Sequence, residues 1–170
     1  SANDGYPGNP NYREFHRDLG WDLSIESLKK FKIKDNRPLG IKLFRISSKN
    51  TSLENKKKYS PKAAGESIKK DAKDYLIGRR KQFARLIKSI NVTPLLIAPF
   101  DAELFGHWWF EGPRFLAELF NQSKKEGINF VTLREVLQDK PQIQLCQPSP
   151  SSWGQGGFHN YWLNDSNAWV

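Results

Sequence analysis

Val92-Thr-Pro-Leu-Leu-Ile97, followed by Ala98-Pro-Phe-Asp-Ala-Glu-Leu-Phe-Gly-His-Trp-Trp-Phe-Glu-Gly-Pro113, is the stretch on which the reading of the fold turns. Its first six residues form an apolar run long enough for one buried strand and too short for a helix. After it, Phe115, Leu116, Leu119 and Phe120 recur at three- and four-residue spacing. That spacing predicts an amphipathic helix over 114–126, with Pro113 in its first turn and Gly127 ending it. Between strand and helix lie Asp101, Glu103 and Glu111, His107, and the rings of Phe105, Trp108, Trp109 and Phe110. In α/β folds ligands collect where strands end and loops begin. Carboxyl groups crowded by rings there can have their pKa raised far enough for proton transfer near neutral pH. The competing reading is a core strand with an aromatic corner. Two tryptophans beside Asp-x-Glu are an odd way merely to fill a core, so the stretch is a candidate site.

Working outward, Leu39–Ile46 alternates well enough to be a strand, and the polar, lysine-rich Ser47–Ser60 reads as a mobile loop. Pro61 opens a long helix to about Ile90, with Ala64, Ile68, Ala72, Tyr75, Leu76, Phe83, Leu86 and Ile87 as its apolar stripe. Ile128–Leu133 reads as a further strand, and Thr132–Leu137 begins a short helix before Asp139-Lys-Pro141. Near the start, Gly5-Tyr-Pro-Gly-Asn-Pro10 forces a fixed turn. Asn11 is placed to cap a short helix ending at Gly20, with Tyr12, Phe15, His16 and Leu19 on one face. Alternating helices and strands of this kind predict an α/β fold with a parallel sheet.

The chain has 170 residues and a net charge of +9, which raises the question of nucleic acid. Residues 29–90 carry 20 Lys and Arg against 5 Asp and Glu, whereas the remainder carries 7 against 13. The basic charge therefore lies away from the rings and carboxylates, and nucleic-acid binders interleave the two. The basic block is read as a solvated face, and neither nucleic acid nor membrane is expected as a partner. No apolar run approaches the roughly 20 residues that span a bilayer. Cys146, the single cysteine, permits no intrachain disulfide or cysteine cage. It is expected to be a small buried thiol in a reducing, cytoplasmic setting. Methionine is absent, even at position 1, and the chain opens in the turn-rich SANDGYPGNP. Both predict that the front of the protein is missing.

The tail from Ser151 sets Trp153, Phe158, Tyr161, Trp162 and Trp169 among glycines and amides. Flat rings with neutral hydrogen-bonding groups suit the faces and hydroxyls of a sugar chain. The alternative is a closing lid that packs its rings on the domain. Gly154-Gln-Gly-Gly157 lacks the Gly-Lys-Ser/Thr of a phosphate loop, and no Gly-x-Ser-x-Gly elbow is present. The three histidines show no metal-ligand spacing, so neither metal nor cofactor is called for. What remains is carboxylate chemistry beside aromatic platforms, the combination used in glycosyl transfer.

The residues are then specific enough for a family. PFDAELFGHWWFEGP resembles the fourth sequence motif of glycoside hydrolase family 57, and SSWGQGGFHNYWLNDSNAW the region around the fifth. GYPGNPNYREFHRDLGWDL resembles a block of its branching-enzyme-type members, with Asn9 where Asp is usual and His16 where Tyr is usual. The resemblance spans nearly the whole chain, apart from the Lys-rich loop and helix at about 47–90. It implies the C-terminal part of an incomplete (β/α)7, TIM-like glycosidase barrel. The implied activity is retaining action on α-1,4-glucans, most specifically 1,4-α-glucan branching, through a Glu nucleophile and an Asp acid/base. Asp101 matches the acid/base position. Trp108, Trp109, Trp153 and Trp162 match positions lining the glucan channel, and Glu103 and His107 are expected to support them. The nucleophile belongs to an earlier motif, so these residues alone are expected to be inactive. A 4-α-glucanotransferase or α-amylase of the same family, a non-catalytic glucan-binding protein and, on residues 29–90, a nucleic-acid binder are the alternatives.

Overall fold

The computed structural model describes residues 5–138, 145–152, 154–160 and 163–169. It divides into two compact units, residues 1–130 and 131–170.

The first unit is organised by two helices. Ser60 accepts from the Ala63 N–H at 3.3 Å and Pro61 fills the first turn, so α3 (Pro61–Leu86) begins where the sequence says it should. Two short helices precede it, α1 (Leu19–Asp22) and α2 (Ile25–Lys29). The second large helix, α4 (Gly112–Ser123), runs into a 3-10 turn at Lys124–Glu126. It stops at Gly127, whose φ of 69° is the left-handed value that favours glycine. α4 packs against α3. Ala64, Ile68, Ala72 and Leu76 of α3 close with Phe115 and Leu119 of α4 on Tyr12, Trp109 and Ile128. Lys62, Lys69, Lys70, Lys73 and Lys81 occupy the exposed side of α3. Three members of the expected apolar faces are not in this core: Leu86 is only partly buried, and Ile87 and Phe120 are exposed, the latter against the Phe130 ring at 4.7 Å.

The expected helix from Asn11 to Gly20 is not formed; tertiary pairing overrides local helix preference there. Tyr12 C=O accepts from Ile46 N–H at 2.8 Å, and Glu14 N–H donates to Phe44 C=O at 2.9 Å. These bonds draw the chain into an antiparallel bridge between Arg13 and Arg45. The helix starts only at α1, capped by Asp18 rather than Asn11. Asn11 instead donates to Ser67 Oγ on α3 and accepts from Arg45, both at 2.9 Å.

The expected strand over Leu39–Ile46 is likewise reduced to isolated bridges, Arg13 with Arg45 and Phe44 with Lys58. Its first residues are diverted, because the Leu39 and Gly40 N–H groups donate to the Asp18 carboxylate at 2.8 and 2.9 Å. Gly40 turns the backbone at φ 73°. Three backbone donors, that of Gly20 among them, converge on Asp18. Burial opposes its charge, but these donors and Lys42 outweigh it and hold its carboxyl below the usual carboxylate range.

Among the described residues, 93–97 and 129–131 take no regular secondary structure and form no β-bridge, and Pro94 has no N–H to give. Among the described residues no strand exceeds an isolated bridge, so the expected parallel sheet is not formed by them. The lysine-rich loop is also more tied down than expected. Lys56 is buried, its ammonium 2.7 Å from Glu14 Oε2 and 2.6 Å from Ser47 Oγ.

In the second unit, Thr132 caps α5 (Leu133–Gln138). Its hydroxyl accepts from Glu135 N–H at 3.2 Å, and Glu135 Oε2 takes the Thr132 N–H at 2.6 Å, a reciprocal capping box. Cys146 is exposed rather than buried. Asp139–Pro141 lie outside the described residues, as do Trp153, Tyr161 and Trp162. No described helix is long and apolar enough to cross a membrane.

Candidate functional site

Residues 98–113 fold into a loop closed by its own backbone. Asp101 precedes a 3-10 turn (Ala102–Leu104), and its carbonyl accepts from Leu104 N–H at 3.1 Å. The chain then reverses at Gly106, whose φ of 102° only glycine adopts readily. Gly106 N–H donates to Trp109 C=O, and Trp109 N–H to Leu104 C=O, each at 2.8 Å. Gly112 lets the start of α4 lie against the loop, since a Cβ there would stand 2.9 Å from Phe105 Cα.

This closure sorts the loop into two sides. Trp109, 4% exposed, is packed among Tyr12, Phe105 and Phe115 with ring centroids 5.8, 6.1 and 4.8 Å away. Expected to line a sugar channel, it instead presents no open face, because those three rings enclose it. Trp108 is 50% exposed, with exposed His107 edge-on to it at 5.1 Å. Asp101 and Glu103 are exposed as well. The expected crowding of carboxylates by rings therefore belongs to Glu111.

Glu111 is fully buried. Its Oε1 accepts from Arg13 N–H at 3.1 Å, and its carbonyl from Phe115 N–H at 2.9 Å in the first turn of α4. Tyr59 lies beside the carboxylate; burial and then Glu111 push its hydroxyl pKa well up. Arg13 also sets its guanidinium 3.5 Å over the Phe110 ring. Oε2 of Glu111 and Nε1 of Trp109 are buried without a hydrogen-bond partner among the described residues. Sequence reasoning counted Glu111 among the carboxylates of the stretch but gave it no role, and no spacing signals that an acid ten residues after Asp101 turns inward. It also missed Phe15, which lies on the Trp108 ring at 4.6 Å. Among the described residues, no three His, Cys, Asp or Glu stand together as a metal cluster.

No family model matches the chain. A 1,4-alpha-glucan branching enzyme of Thermococcus kodakarensis is 30% identical over all of this chain, which covers 23% of that protein. A Mycobacterium tuberculosis protein named "Probable 1,4-alpha-glucan branching enzyme" is 30% identical over 95% of the chain, covering 28% of its own length. Among solved structures, the family 57 branching enzyme of T. kodakarensis in complex with glucose superposes with a TM-score of 0.75 at 28% identity, over 99% of this chain and 28% of that one. Nearly the whole chain is thus similar to part of the branching enzymes of glycoside hydrolase family 57. It is also similar to AmyC, described as a novel alpha-amylase of Thermotoga maritima, with a TM-score of 0.78 at 41% identity over 91% of this chain and 30% of that one. The chain thus spans about a quarter of the length of the curated relatives it matches. The structure brings Asp101, Glu103, His107 and Trp108 onto one loop, while Trp153 and Trp162 are outside the described residues.

Proposed function

We propose that this chain is the C-terminal part of an incomplete (β/α)7 barrel in an α-glucan-active enzyme, most specifically a 1,4-α-glucan branching enzyme. The observation that carries the reading is the match of the whole chain to proteins named as branching enzymes, centred on a loop that holds Asp101 open to solvent. In this reading the Asp101 carboxylic acid protonates the oxygen leaving an α-1,4 bond. It then, as carboxylate, takes the proton of an incoming 6-hydroxyl, while a Glu from outside these 170 residues holds the glycosyl group. Trp108, and in the tail Trp153 and Trp162, carry the glucan, with His107 and Glu103 in support. Trp109 supports the loop from the core. Neutral glucan is the partner rather than nucleic acid or membrane, and the setting is cytoplasmic.

The test is made in the polypeptide that carries this chain, with amylose as substrate and linkage analysis of the product. New α-1,6 bonds are expected, and Asp101→Asn is expected to lower kcat/KM by on the order of 10²–10⁴-fold. Branching at an unchanged rate in that variant would overturn the assignment. The likeness to AmyC favours a second reading, an α-amylase or 4-α-glucanotransferase. Free reducing ends or new α-1,4 bonds, without α-1,6 bonds, would decide for it.

A further inference from the structure

We infer that Phe15 is a substrate-binding residue, forming with Trp108 and His107 one three-ring platform for a glucan chain; the inference rests on the glucan reading above. Phe15 comes from the block near the start of the chain, and the two other rings from the 98–113 loop. All three touch one another: Phe15 to Trp108 at 4.6 Å and 39°, Phe15 to His107 at 5.5 Å and 70°, His107 to Trp108 at 5.1 Å and 84°.

Aromatic contacts of this kind ordinarily fill a core, as the neighbouring Tyr12–Trp109–Phe115 group does. The Phe15 group differs in exposure. Trp108 is half exposed, His107 is exposed and Phe15 is only partly covered. The loop beneath is fixed by the Gly106 reversal and by Trp108 N–H donating to Glu103 C=O at 3.3 Å, so the rings are held before a ligand arrives. Flat, pre-positioned rings match the C–H faces of a pyranose.

The rim of the platform supplies polar partners for a neutral polyol. Lys42 sets its ammonium 5.5 Å from the Phe15 ring centre. One direction of that ammonium faces Asp18 at 3.6 Å, which leaves further N–H donors for sugar hydroxyls. Asp101 begins the same loop. A chain lying on Phe15 and Trp108 would therefore run beside the proposed acid/base, and Phe15 would contribute to binding without taking part in proton transfer.

The experiment is co-sedimentation of the 170-residue chain with insoluble amylose, a neutral ligand that a net charge of +9 does not by itself attract. The variants are Phe15→Tyr, Phe15→Leu and Trp108→Ala. Wild type and Phe15→Tyr are expected to sediment alike, Phe15→Leu to bind roughly 3- to 10-fold more weakly, and Trp108→Ala more weakly still. If Trp108→Ala loses binding while Phe15→Leu keeps it, the platform is overturned and the glucan reading stands. If Tyr and Leu at position 15 weaken binding equally, Phe15 is a packing residue and the inference falls. If wild type itself fails to sediment, the glucan reading of this chain falls and the platform with it.

Discussion

Two apolar stretches of this chain have opposite fates. α3 puts Ala64, Ile68, Ala72 and Leu76 under α4 and Tyr12, almost wholly out of water. Residues 92–100 are at least as apolar, yet Leu95 is 51% exposed and Ile97 66%, and Val92 and Phe100 are similarly open. The difference is not in the side chains. Within α3 the apolar residues fall on one stripe that a second helix can cover, and every interior backbone group is satisfied along the helix itself. Residues 93–97 belong to no helix, so both their side chains and their backbone need neighbours from elsewhere. Apolar patterning states that a surface wants covering; only the partner's presence determines whether it is covered.

The sharpest way to test that contrast is truncation on each side of it. Leu76→Ala in α3 is expected to cost about 2–5 kcal/mol, measured by urea unfolding of the 170-residue chain followed by circular dichroism. Asp18→Ala, which strips three backbone donors of a charged acceptor, is expected to cost about 2–3 kcal/mol. Because the folded Asp18 carboxyl is held below its ordinary range, its contribution is complete above the unfolded aspartate pKa of about 3.9 and is lost as pH falls through the lower folded value. An acid titration of stability should therefore be flatter for Asp18→Ala than for wild type.

Tyr12→Phe is expected to cost about 1 kcal/mol, since it removes only the hydroxyl donating to Asp71 at 2.7 Å. The hydroxyls of Tyr6, Tyr12 and Tyr59 are all pushed up, first by burial and then by the neighbouring carboxylates of Asp74, Asp71 and Glu111. With folded values above the unfolded one, their contribution is complete below about pH 10 and drains away as pH rises past it. Thermal melts from pH 9 to 11 should show this decline, less steeply in Tyr12→Phe. The smallest effect belongs to the open stretch. Ile97→Ser is expected to change the stability of the 170-residue chain by no more than about 0.5 kcal/mol, and a loss as large as that of Leu76→Ala would erase the contrast.

The helices were legible because their signals are local. Ser60-Pro61 at the start of α3, Pro113 and Gly127 bounding α4, and the 3.6-residue stripe on each need no knowledge of the rest of the chain. The errors lie where distant residues decide. Nothing near Asn11 signals that Tyr12 and Glu14 will be claimed by Phe44 and Ile46, or near Leu39 that its N–H will turn to Asp18. The site follows the same rule. Its loop was legible from the density of carboxylates and rings, but which rings face outward was not. Trp108 and Trp109 are adjacent in sequence, yet one is half exposed and the other is packed among Tyr12, Phe105 and Phe115. Phe15 escaped notice because it was read as one face of a helix that does not form.

One hydrogen bond described above also bears on the order of assembly. Glu111 takes the Arg13 N–H across 98 residues of chain. During synthesis from the N-terminus, the segment around Arg13 emerges long before its acceptor exists, and at roughly 5–20 residues per second it waits on the order of 5–20 seconds. Through that interval Tyr12 and Phe15 have no Trp109 or Trp108 to lie on. The loop that carries Asp101 is thus among the last parts of the first unit to set, and a nascent chain stalled before residue 111 would display the same rings as an adhesive surface.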